Sequence, residues 1–155
     1  MATTIVDNLE SSDGSIDIPL ESIFTIDDQA GNLLVSVELA TSVTLTTIVT
    51  DIPGMTAIIT TGSRPIAIEF GGSIRVNQGS LDSAVMSLLV DGAVRSQIIS
   101  TRDAMTHTTL CRRLIIGPYP AGTVLTIKAQ GFTTAGTGNL VGIPEDRAYM
   151  YVSNA

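Results

Sequence analysis

The chain has 155 residues, enough for one domain with a sizeable core, and 44% of them are apolar, which excludes a disordered tail. Its net charge of −7 and its single lysine, Lys128, exclude a binder of phosphate backbones and disfavour an anionic membrane surface. Charged residues are only 15% of the sequence, against an average of about 25%, so either part of the surface is hidden against other chains or threonine hydroxyls stand in for charge.

The charge is unevenly placed. Residues 1–63 hold nine acids and no base, while residues 64–155 hold six acids and all eight bases. Such asymmetry marks either an arm distinct from the body or a solvated acidic edge. Residues 1–32 read as an extended N-terminal arm. A short helical turn is expected at Thr4–Leu9, then a loop over Glu10–Ser15, where Ser, Asp and Gly cluster. Ile16, Ile18 and Leu20 alternate after it, and Pro19 keeps that stretch at a sheet edge or off a sheet. A turn cluster, Asp27–Asn32, closes the arm.

From Leu33 the pattern has period two. Leu33, Val35, Val37 and Leu39 form one alternating set, and Val43, Leu45, Thr47 and Val49 another, which is the strand signal. Asp51-Ile52-Pro53-Gly54 reads as a turn before a short strand at Met55–Thr60. A longer strand follows at Pro65–Val76, with a bulge or bend at Gly71-Gly72. Leu81–Leu89 fits helical spacing as well as a strand. Asp91-Gly92 decides for a hairpin of Ala84–Val90 with Ala93–Ile99, because a tight hairpin turn needs two residues at positive φ. Met105–Ile116 and Thr123–Gln130 are further strands, Gly131–Gly142 a Gly/Thr loop, and Arg147–Val152 the last strand. Short strands between turn signals predict an all-β fold, an antiparallel β-sandwich or barrel, over 33–155.

Chemistry is sparse. His107 is the only histidine and Cys111 the only cysteine, so no intrachain disulfide and no zinc cluster can form. Four residues apart on a strand they share a face but stand roughly 13 Å apart, so His107 reads as an ordinary imidazole and Cys111 as a small core residue. Asp13, Gly14 and Asp17 lack the spacing of a calcium loop, and Gly136-Thr137-Gly138 does not complete a dinucleotide fingerprint. With 4% aromatics and no Trp, Tyr119, Tyr149 and Tyr151 read as packing or interface residues rather than a sugar site. The expectation is a protein that is not an enzyme, with no cofactor, metal or small-molecule substrate. The N-terminal stretch lacks the basic-then-apolar pattern of a signal peptide, and no apolar run is long enough for a membrane helix, so synthesis in a host cytoplasm is expected.

The stretch Thr61–Val76 resembles the first long strand of jelly-roll domains found in tailed-phage surface proteins. So do the strand and Asp-Gly turn at Leu88–Val94, the Pro-Ala-Gly-Thr turn and strand at Tyr119–Gln130, and the closing strand Ala148–Val152. The resemblance covers about 43–155 and rests on strand and turn patterns. It implies a jelly-roll-like homotrimer on the virion. Two roles are implied: a capsid cement or decoration protein whose partner is the major capsid protein, or a receptor-binding tip or collar-fibre domain that recognises a host surface. No coiled coil or fibre repeat is present to build a shaft, which favours the cement role. An extended arm can then add to a neighbour's strand edge, with Ile16, Ile18, Leu20, Ile23 and Phe24 filling pockets on the shell.

Overall fold

The computed structural model describes residues 8–10, 17–19, 30–76, 82–101, 108–143 and 146–155. Strands β1 (Asn8–Glu10) and β2 (Asp17–Pro19) form a separate antiparallel ribbon with Leu9 opposite Ile18. This corrects the expected helical turn at its Asn8-Leu9 end; Thr4–Asp7 lie outside the described residues.

Ten more strands build the body. They are β3 (Leu33–Glu38), β4 (Val43–Leu45), β5 (Thr50–Thr60), β6 (Ile66–Val76), β7 (Ala84–Val90), β8 (Ala93–Ser100), β9 (Thr108–Ile116), β10 (Val124–Thr133), β11 (Gly138–Leu140) and β12 (Tyr149–Asn154). No helix occurs among the described residues. One sheet runs β5-β10-β7-β8. The other runs β3-β12-β6-β11-β4, with β9 on the far side of β6. Every pairing is antiparallel.

The second sheet is simpler than its six strands suggest. Along one edge of β6, β12 pairs from Ile66 to Gly71 and β11 takes over from Ile74 to Val76. Outside them β3 pairs with β12 and β4 with β11. Taken as four ribbons, the sheet order is first, eighth, third and sixth in the chain, facing second, seventh, fourth and fifth. That interleaving is the double Greek key of a jelly roll. The antiparallel β-sandwich expected from the alternation is the observed fold.

Side chains with period two fill the space between the sheets. Ile66, Ile68, Phe70 and Ile74 of β6 and Met150 and Val152 of β12 meet Met86 and Leu88 of β7 and Leu125 and Ile127 of β10, all fully buried. The hairpin is as expected, with Asp91 at φ 49° and Gly92 at φ 80°.

Several sequence expectations need correction. Asp51–Gly54 is not a turn between strands but part of β5. Opposite it the register with β10 jumps, Lys128 facing Thr56 and Gln130 facing Asp51, so the Pro-Gly pair makes a bulge. The alternation at Val43–Val49 supports a strand only over Val43–Leu45. Of the two alternatives at Gly71-Gly72, the bulge is absent on the β9 edge, where pairing runs unbroken from Ile66 to Ile74. Those glycines permit close approach instead: a Cβ on Gly71 would lie 2.9 Å from Cys111 Cβ, and one on Gly72 2.7 Å from Ala148 Cα. The Gly131–Gly142 loop is partly strand, since β10 runs to Thr133 and β11 occupies Gly138–Leu140. Cys111 is exposed rather than in the core. On β9 it is Leu110, Leu114 and Ile116 that pack on the core, which turns the odd-numbered positions outward.

Candidate functional site

Two surfaces stand out, one on each sheet. The outer face of the β5-β10-β7-β8 sheet carries rows fixed by register. Gln130, Ser87 and Gln97 form a polar row across β10, β7 and β8, in which Gln97 Nε2 donates to Ser87 Oγ at 2.9 Å. Asp51 extends the row, accepting from Gln130 Nε2 at 2.7 Å and from Lys128 Nζ at 2.8 Å. Those two bonds hold the Asp51 carboxyl below the usual carboxylate range. Apolar residues flank the row: Leu89 and Val94 on one side, Phe132, Val85 and Ile99 on the other. Ile58, Val124, Val94 and Ile99 are 68%, 61%, 55% and 51% exposed. A sheet face this apolar, with few charges, has the composition of a contact surface.

The second surface is a cleft of about 500 Å³ on the outer face of the other sheet. Its wall is β12, whose alternation puts Tyr149 and Tyr151 outward while Met150 and Val152 enter the core. The two rings stack at 4.8 Å with 26° between their planes. Each tyrosine bonds a carboxylate diagonal to it rather than the one opposite. Tyr149 faces Glu38 in register but its hydroxyl donates to Glu69 at 3.2 Å; Tyr151 faces Glu69 but donates to Glu38 at 3.0 Å. Arg147 completes the network, Nη1 donating to Glu38 Oε2 at 2.9 Å. Gly72, Thr109 and Asp146 complete the lining of the cleft.

Burial, then the adjacent Glu69 carboxylate, pushes the Tyr149 hydroxyl up to about 12. Burial and the bond to Glu38 raise Tyr151 as well. Both phenols therefore stay neutral donors at ordinary pH. No group of three or more His, Cys, Asp or Glu side chains that could hold a metal ion occurs among the described residues.

The arm residues are only partly placed. Ile18 lies on β2, opposite Leu9, while Ile16, Leu20, Ile23 and Phe24 lie outside the described residues, as does His107. Tyr119 packs against the core, in keeping with its reading as a packing residue. Sequence reasoning passed over Glu38, Glu69 and Arg147, which come from three separate segments. The available signal was Tyr149-x-Tyr151, two aromatics on one face of a strand.

No protein-family model matches this sequence, and no curated protein does. Among solved structures the chain is similar to the VP2 subviral particle of infectious bursal disease virus, at a TM-score of 0.52 and 10% identity, over 94% of this chain and 37% of that one. The chain thus spans little more than a third of the VP2 chain. A match to dimeric latent PorU from Porphyromonas gingivalis covers 81% of this chain and 13% of that one at 11% identity and a TM-score of 0.35, too low to carry an argument. At these identities the VP2 likeness speaks to fold: the sandwich is built like part of a viral capsid protein.

Proposed function

We propose that the chain is a structural virion protein, a cement or decoration protein that binds the outer surface of a phage shell as a homotrimer and stabilises it. Its partners are copies of itself and the major capsid protein, and it carries out no catalysis and needs no cofactor. The observation that carries this reading is the outer face of the β5-β10-β7-β8 sheet, with four large apolar residues more than half exposed on a chain with an unusually small share of charged residues. The fold likeness to a capsid protein agrees with it. Burying such a face between copies removes apolar area from water. A ligand that binds only the assembled shell stabilises that state by mass action, and three linked binding sites add avidity. In this reading the arm, residues 1–32, reaches the shell through Ile16, Ile18, Leu20, Ile23 and Phe24.

The test is copy number and position in purified particles, by quantitative mass spectrometry and an electron-microscopy map. Hundreds of copies on the shell are expected. A handful of copies at a tail or collar would overturn the cement role in favour of a host-recognising tip.

A further inference from the structure

Against the reading of Tyr149 and Tyr151 from composition as packing or interface residues, we propose that the cleft beneath them is a binding site for a neutral sugar. The inference does not depend on the cement reading, since it uses the opposite sheet from the proposed contact surface. The volume, about 500 Å³, lies within the roughly 300–1,000 Å³ of small-ligand sites. Its lining suits a pyranose, which has an apolar face of C–H bonds and a rim of hydroxyls that both donate and accept. The stacked tyrosine pair offers aromatic surface for the C–H face. Glu38 and Asp146 can accept from hydroxyls, and Arg147 and Thr109 can donate to them. Arg147 reaches the cleft with a side chain that is about a third exposed.

Charge narrows the class. The lining sets Glu38 and Asp146 against Arg147. An acidic sugar or a phosphate meets more carboxylates than cations there. The network is also held in place before any ligand arrives. Glu38, Tyr151 and Arg147 fix one another, so little side-chain freedom remains to be lost on binding.

The test uses the purified full chain and a panel of methyl glycosides of neutral hexoses and N-acetylhexosamines, with sialic acid as the acidic comparison. Binding is read by saturation-transfer NMR and by amide shifts of an isotope-labelled sample. At least one neutral sugar is expected to shift amides around Gly72, Thr109 and Tyr149, with sialic acid binding weaker. Tyr151→Ala and Glu38→Gln are expected to weaken that sugar about tenfold, equivalent to about 1.4 kcal/mol. Arg95→Ala, on the other sheet, is expected to leave it unchanged. Asp146→Asn, in the lining but outside the Glu38–Tyr151–Arg147 network, is expected to weaken the sugar too and serves if the first two variants fail to fold. Absence of binding across the neutral panel, preference for sialic acid, or unchanged affinity in the folded variants would overturn the proposal.

Discussion

Tyr149 shows how one side chain reports on its surroundings. Its phenol is held neutral by burial and by Glu69, at about 12 rather than the ordinary 10. A group whose folded value is raised contributes stability that is fully present below the unfolded value, and that stability is lost as pH rises through the folded one. The melting temperature of wild type is therefore expected to fall more steeply than that of Tyr149→Phe between about pH 10 and 12, and the absorbance change at high pH that disappears in the variant should have its midpoint at about 12. Matching pH profiles for the two proteins would show that neither burial nor the Glu69 contact holds the phenol up in solution. Gly72 makes a steric statement instead. A methyl group there runs into the Ala148 backbone at 2.7 Å, where β12 hands β6 over to β11. Gly72→Ala is expected to cost about 1–3 kcal/mol by chemical denaturation. An unchanged midpoint would mean that the two segments stand farther apart.

Among the strands, β6 has the most demanding position, paired on both edges and buried along most of its length. Phe70, at the middle of it, has no exposed surface. Phe70→Ala is expected to destabilise by about 3–5 kcal/mol, measured by urea unfolding; a loss below about 1 kcal/mol would place the ring outside the tight core. Strands such as this, and the β7–β8 hairpin with its Asp91-Gly92 turn, are legible from sequence because alternation and turn chemistry are local properties. β5 was not. Pro53 and Gly54 carry a strong turn signal, and only pairing with β10 shows that the signal is a bulge inside one strand. The short β11 was likewise hidden, since Gly138-Asn139-Leu140 becomes a strand only because it continues the line of β12 along β6. The tyrosine cleft shares that limit. Its carboxylates come from β3 and β6 and its guanidinium from the segment before β12, and register alone brings them together.

At the scale of the molecule, the proposed assembly separates into a body and an arm. The sandwich begins with β3 at Leu33, and Gly31 and Asn32 are tied to Asn154 by backbone hydrogen bonds of 2.7 and 3.0 Å. Deleting residues 1–29 keeps those bonds. The truncated protein is expected to stay folded by circular dichroism, with a light-scattering mass near three chains, and to bind capsids far more weakly in a pull-down. Unfolding would make the arm part of the body, and equal binding would move the shell contact onto the sandwich. Charge substitutions within the arm, Asp13→Asn, Asp17→Asn and Glu21→Gln, are expected to have a smaller effect that fades with salt, since exposed charges are screened within about 8–10 Å at ordinary ionic strength.

The placement of β12 sets an order of events during synthesis. It sits between β3 and β6, bonded to both, and the neighbouring Ala155 amide bonds Pro65 O at 2.8 Å. Until residues 149–154 leave the ribosome, β3 has no partner in its sheet and β6 lacks one along half its length. The nascent chain therefore carries unpaired strand edges on β3 and β6 until β12 emerges, which are templates for mispairing with other chains. Closure of this sheet awaits the final strand, however early the β7–β8 hairpin forms, and a stalled ribosome that withholds it leaves a product prone to aggregate rather than a smaller folded domain.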